Sequence, residues 1–119
     1  MTVFRNFRFH SARHLPNLDD NHICKQTHGH TFNLTVHIKG EINPKTGFVI
    51  DFFDIDKIVN ANILSIIDHK LLNDIPSLNN PTSENLCKWI WNTLIIKIDG
   101  LSKIVLSEDH GTGIIYKGE

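Results

Sequence analysis

Little in this chain of 119 residues is in excess, and what is missing excludes several classes of protein. There are two cysteines, Cys24 and Cys87, too few for a disulfide framework, so a reducing cytoplasm is the expected setting. Neither charge predominates: twelve Lys and Arg against thirteen Asp and Glu leave a formal charge of -1. Without a basic excess there is no electrostatic footprint for nucleic acid or an anionic membrane. The longest apolar run, near Ile63 to Ile67, falls far short of a membrane span, and the N-terminal M-T-V-F-R-N-F lacks a signal-peptide core. Internal repeats, low-complexity tracts and interdomain linkers are absent, and the length suits one hydrophobic core, so residues 1–119 are expected to form a single domain.

What is plentiful is histidine. The chain has eight, and His10, His14, His22, His28 and His30 fall within its first thirty residues. The segment T-V-F-R-N-F-R-F-H-S-A alternates with period two, Val3, Phe7 and Phe9 on one face and Asn6, Arg8 and His10 on the other, which predicts a strand. A turn-rich loop, L-P-N-L-D-D-N-H-I, follows. H-T-F-N-L-T-V-H-I-K-G then predicts a second strand, with Phe32, Leu34, Val36 and Ile38 on one side and polar residues on the other. Such one-sided strands suit an antiparallel sheet covered on one face. Asp51 can cap a helix whose stripe runs through Ile55, Ile58, Val59, Ile63, Ile66 and Ile67 to Asp68. Thr82 or Ser83 can cap a second helix, with Leu86, Trp89, Ile90 and Leu94 on its buried side. Ser102–Glu108 and Gly113–Tyr116 read as two strands joined by the turn D-H-G-T. The order ββααββ predicts an α+β fold, a four-stranded sheet with two helices on one face. Its two open edges invite pairing with further copies of the chain.

The chemistry concentrates in C-K-Q-T-H-G-H, residues 24–30. His28 and His30 are two apart at a strand entrance, so they share a face, and two imidazoles on one face begin a zinc site; equally, they can be structural histidines capping the core. Cys24 lies in a polar loop rather than on an apolar stripe, a placement that suits a reactive thiol. Cys87, beside Leu86 in the second helix, reads as a small buried apolar residue. Asp68 next to His69 can orient an imidazole for proton transfer, but a helix C-terminus attracts histidine for its own reasons. Glu108, taken alone, reads as a solvated charge at a strand end.

Taken together, these pieces resemble the 6-pyruvoyl-tetrahydropterin synthase superfamily, and most closely its bacterial branch, the 6-carboxy-5,6,7,8-tetrahydropterin synthases of queuosine biosynthesis. The resemblance runs through F-R-F-H-S-A-R-H-L-P, H-I-C-K-Q-T-H-G-H-T-F, T-G-F-V-I-D-F, D-H-K-L-L-N-D-I-P, N-P-T-S-E-N and E-D-H-G-T-G-I-I-Y. It implies the tunnelling fold, with subunits joined edge to edge into barrels, a homo-oligomer such as a hexamer, and active sites at subunit interfaces. It implies a zinc-dependent carbon-carbon lyase that converts 7,8-dihydroneopterin triphosphate to 6-carboxytetrahydropterin, with release of acetaldehyde and triphosphate. Under the resemblance His28 and His30 are zinc ligands, Cys24 is the general base, and Asp68 and His69 form a proton relay. Glu108 then holds the guanidine-like edge of the pterin, and Thr82 and Ser83 line its pocket.

One departure stands out. The family's third zinc ligand lies in A-H-R-L, where this chain reads A-R-H-L, so Arg13 holds the matching position and His14 follows it. A one-residue shift on a strand reverses the face, so by parity Arg13 joins the metal side. A bulge beside Leu15 and Pro16 would re-aim His14, and the expected ligand set is therefore His14, His28 and His30. The same residues also serve the pyruvoyl-forming reaction, and loss of the third ligand would leave a pterin-binding relative without zinc chemistry.

Overall fold

Alternation in the first strand does what its period demands. In the computed structural model, which describes Met1–Glu119, β1 spans Thr2–Arg13 and pairs antiparallel with β2, His28–Lys39, from Thr2 opposite Lys39 to Arg13 opposite His28 with no break in register. β3, Leu101–Glu108, pairs with β2 on its other side, with one irregularity at His37 and Ile38. β4, Gly113–Tyr116, pairs with β3, so the sheet order is β1-β2-β3-β4, antiparallel throughout.

Asp51 caps the first helix as expected, its side chain accepting from the Phe53 amide at 2.9 Å. That helix is not uniform. The α1 segment Phe52–Val59 passes into a wider π-helical stretch, Asn60–Leu64, and regains α geometry for Ser65–Ile67. The amide of Asn62 and the hydroxyl of Ser65 donate back to the carbonyls of Ile58 and Ala61, four residues earlier, the kind of side-chain competition that loosens a helix locally. The second helix, α2, spans Ser83–Leu94 with Thr82 as its cap.

Ile55, Val59, Ile63 and Ile67 from the first helix, and Leu86, Cys87, Ile90 and Leu94 from α2, close over Phe7, Phe9, Phe32, Leu34, Val36, Ile38, Ile104 and Leu106 of the sheet. Phe9 and Phe32, opposite each other in the ladder, stack with centroids 5.0 Å apart. Both helices thus cover one face, and the opposite face carries the polar alternates. No helix is long and apolar enough to cross a membrane.

Candidate active site

The buried face of the sheet changes character at one end. Following parity beyond Phe9 on β1 gives Ser11 and Arg13, and following it back from Phe32 on β2 gives His30 and His28. Phe32 lies opposite Glu108 on β3, so that carboxylate also faces inward. Five polar side chains therefore continue the hydrophobic core where the helices cease to cover it.

Glu108 is the centre of this group and is 9% exposed. Its Oε1 accepts from Arg13 Nη2 at 3.0 Å and from His30 Nδ1 at 2.8 Å. Its Oε2 accepts from the hydroxyls of Ser83 and Thr112, each at 3.2 Å. An ionised carboxylate offers about four lone-pair positions, so Glu108 is fully engaged. Arg13 is 6% exposed; its Nη1 also donates to Ser83 Oγ at 3.1 Å and to the Pro81 carbonyl at 3.2 Å, and its guanidinium carbon lies 5.3 Å from the Phe32 ring centroid. Burial and the Arg13 charge push the His30 imidazole below its ordinary value, and the opposing pull of Glu108 does not prevail.

The zinc implied by the resemblance can be tested against these donors. His30 Nδ1 faces a carboxylate and His28 Nδ1 lies 2.6 Å from the Gln26 carbonyl; both partners only accept, so each Nδ1 donates, which leaves Nε2 of a neutral ring as the nitrogen with a lone pair. His30 Nε2 is buried without a hydrogen-bond partner, and the two rings lie edge to face with centroids 4.4 Å apart. That much fits a metal, because ligand histidines are commonly held by their other nitrogen in this way. The third position does not fit. β1 stays in register through Arg13, no bulge intervenes, and His14 is not among the donors that lie together with His30. Instead Asn73 clamps the His14 backbone, accepting from its amide at 3.0 Å and donating to its carbonyl at 2.9 Å, with Asn73 Nδ2 3.4 Å from His14 Nε2. The expected set of His14, His28 and His30 is thus not assembled, because strand parity, unbroken, gives the place to Arg13. The one cluster of three donors within 4.8 Å is His30, Glu108 and His110, and there Glu108 is already paired with Arg13 while His110 is exposed. The residues present do not complete a three-histidine zinc site.

The remaining expected residues divide. Ser83 joins the Glu108 group, whereas Thr82 caps α2, accepting from the Asn85 amide at 3.1 Å. Asp68 and His69 do meet, His69 Nδ1 to Asp68 Oδ1 at 2.9 Å, although neighbours within a helix could not. They can do so because Asp68 is extended beyond the helix end and His69 adopts φ 59°, a left-handed conformation costly for a residue with a Cβ. The corner is fastened to β1 by the His10 amide, which donates to Asp68 Oδ1 at 3.0 Å, and by the His69 amide, which donates to the His10 carbonyl at 2.6 Å. A cavity of about 560 Å³ lies here, with His10, Gly29, His30, Thr31, His69 and Lys70 in its wall, so His30 links it to the Glu108 group. Cys24 sits in the short turn Ile23–Lys25, half-buried; its carbonyl accepts from the Leu15 amide at 2.8 Å, and its thiol bonds to none of these groups within the chain. Cys87 is buried in the core, and burial pushes its thiol up to about 12.

Parity placed Arg13 on the inner face, but its pairing with Glu108 was not expected, nor were Thr112, His10 and His110 as neighbours of the site. Those three depend on how the 68–71 segment and the β3–β4 turn fold back, for which the sequence carries no spacing signal.

Known proteins resemble this chain in sequence and in fold. The family profile described as 6-pyruvoyl tetrahydropterin synthase matches residues 2–119. A putative 6-carboxy-5,6,7,8-tetrahydropterin synthase of Archaeoglobus fulgidus is 37% identical over 87 residues, covering 73% of this chain and 72% of its own length. A dihydroneopterin monophosphate aldolase of Pyrococcus furiosus is 37% identical over 93 residues, covering 76% and 77%. The solved structure of 6-pyruvoyl tetrahydropterin synthase from Caenorhabditis elegans superposes with a TM-score of 0.90 at 26% identity, covering 100% of this chain and 96% of that one. The four-stranded sheet with its two helices is thus the tunnelling fold, and the chain belongs to the 6-pyruvoyl tetrahydropterin synthase family.

Proposed function

We propose that the chain is a carbon-carbon lyase of pterin metabolism, a 6-carboxy-5,6,7,8-tetrahydropterin synthase acting on 7,8-dihydroneopterin triphosphate in the cytoplasm as a step towards queuosine. The observation that carries the reading is Glu108: a buried carboxylate between Ser83 and His30, at the end of the sheet where His30 and His69 share a cavity. A pterin presents parallel N–H donors that suit a carboxylate, and paired charge-assisted bonds fix orientation as well as affinity. The Ser83 and Thr112 hydroxyls, at 3.2 Å, can rotate away and open Oε2 to the ring, while Arg13 and His30 hold Oε1. Cys24, as thiolate, removes a proton from the side chain, and His69, held by Asp68, passes protons to and from it. Zinc would serve as a Lewis acid on the side-chain hydroxyls, but the Arg13 substitution keeps it out of this scheme. β1, engaged on its outer edge only near residues 10–12 by the 69–71 segment, and β4 are the edge strands of the sheet, and we take a homo-oligomer with active sites at subunit interfaces as part of the same proposal.

A second reading, a pterin-binding relative that does not turn over, is favoured by one observation: Arg13 already occupies Glu108 Oε1 with an N–H donor of the kind that a pterin edge would offer. Incubation with 7,8-dihydroneopterin triphosphate separates the readings. Acetaldehyde together with a 6-carboxypterin product supports the lyase; a pyruvoyl product without acetaldehyde assigns the other family reaction; unchanged substrate that nevertheless binds selects the second reading. Replacing Cys24 with Ala is expected to abolish turnover while leaving pterin affinity nearly unchanged, and full turnover by that variant would remove Cys24 from the mechanism.

A further inference from the structure

Arg13 holds the place where a third metal ligand is expected, and its side chain is not free to make way for an ion. We infer that Arg13 has replaced that ligand for good: a buried guanidinium supplies the fixed positive charge of this pocket, and the chain has no tight zinc site. A guanidinium has no lone pair to give and does not deprotonate in proteins. It is held on several sides, by Glu108 Oε1 at 3.0 Å, Ser83 Oγ at 3.1 Å, the Pro81 carbonyl at 3.2 Å and the Phe32 ring, so swinging it out would break all of these at once and take the guanidinium away from the buried carboxylate. It is also directly opposite His28 in the β1–β2 ladder, on the same face. A divalent ion on His28 and His30 would therefore share a buried pocket with another cation, where solvent screens the repulsion poorly.

The other donors nearby do not repair the set: His110 is exposed and its Nε2 lies 3.1 Å from the Thr112 hydroxyl. His14 has the opposite parity and is fastened to Asn73. Glu108 is already paired through Oε1 with Arg13, so an ion on this carboxylate would lie against that guanidinium. The positive charge that a metal would contribute beside Glu108 is thus already provided by the chain. The inference rests on the pterin reading only for the identity of the pocket; metal content and product formation are separate measurements, so either can fail alone.

The test is zinc content by plasma mass spectrometry after expression with added zinc and dialysis of the full chain, followed by zinc titration against a chromophoric chelator. The wild-type chain is expected to retain almost none. Arg13→His, and the exchange Arg13→His with His14→Arg in case the single change misfolds, are expected to retain about one zinc per chain, with an affinity gain larger than the roughly 10–100-fold that a ligand's orienting partner is worth. Circular dichroism verifies that each variant is folded. Wild-type protein that keeps about one zinc through dialysis and loses it in His30→Ala would overturn the inference, as would folded Arg13→His variants that bind zinc no better than wild type.

Discussion

The guanidinium of Arg13 and the carboxylate of Glu108 meet at 3.0 Å, with side chains only 7% and 8% exposed. A pair so far from water is costly to assemble and more costly to break, because the survivor keeps its charge without a partner. Glu108→Ala is therefore expected to lower the unfolding free energy in urea by roughly 3–5 kcal/mol. Arg13→Met combined with Glu108→Leu should recover much of that loss, since two apolar side chains leave no orphaned charge. A cost below about 1 kcal/mol for Glu108→Ala would place the pair in a surface-like environment instead.

The two thiols differ in reach. Cys87 is buried and burial pushes its thiol up to about 12, so it is expected to stay silent towards a disulfide reagent in the folded protein. Cys24, half-buried in its turn, should be the one thiol that reacts under native conditions, and Cys24→Ser should leave none. Equal reaction of both thiols in folded protein would contradict the placement of Cys87 in the core.

His30 gives stability a pH dependence of defined sign. The fold holds its imidazole below the ordinary value of 6.5, through burial first and Arg13 second. The unfolded chain therefore takes up this proton at a higher pH than the folded one does. Linkage then makes the contribution fully present above 6.5 and progressively lost as the pH falls through that value towards the lower one of the folded state. Urea midpoints should drop between neutral and mildly acid pH, and His30→Gln should flatten that slope. A midpoint that rises on acidification, in wild type but not in the variant, would show that Glu108 prevails over burial.

Gly100 has φ 82°, and a Cβ there would lie 2.4 Å from the Lys39 carbonyl oxygen, backbone that cannot move aside without disturbing β2. Gly100→Ala is expected to cost clearly more than the roughly 1–2 kcal/mol of left-handed strain alone. Gly47→Ala, at φ 79° with open space around it, is the control that isolates the strain. Equal denaturation midpoints for the two variants would mean that the Lys39 contact is relieved easily.

Much of this could be read from residue order because the relevant forces are local. The period-two pattern from Val3 to Phe9 and from Phe32 to Ile38 placed both long strands, since each side chain must alternate across the pleat. Asp51 and Thr82 were legible as helix caps for the same reason: the groups they satisfy lie two or three residues away. The first helix was less legible. Its isoleucine stripe predicted an unbroken α-helix; with a wider turn over Asn60–Leu64, Ile63 and Ile67 stay inside while Ile66, expected on the same stripe, is exposed. At the site, parity assigned Arg13 to the inner face, whereas the bulge expected to bring in His14 did not form.

The sequence by itself determined the element order, the inward face of each strand and, through its motifs, the family resemblance, because periodicity, capping and residue spacing act over a few positions. Only the tertiary structure decided what the inward residues do to one another. Residues 95 positions apart, Arg13 and Glu108, become a buried ion pair because β2 lies between β1 and β3 and brings their ends together at the uncovered end of one face. Asp68 and His69, neighbours in sequence, become a usable pair only because the backbone turns left-handed and fastens to the edge of β1. Charge burial and strain of this kind depend on everything packed around them, and no local pattern encodes that.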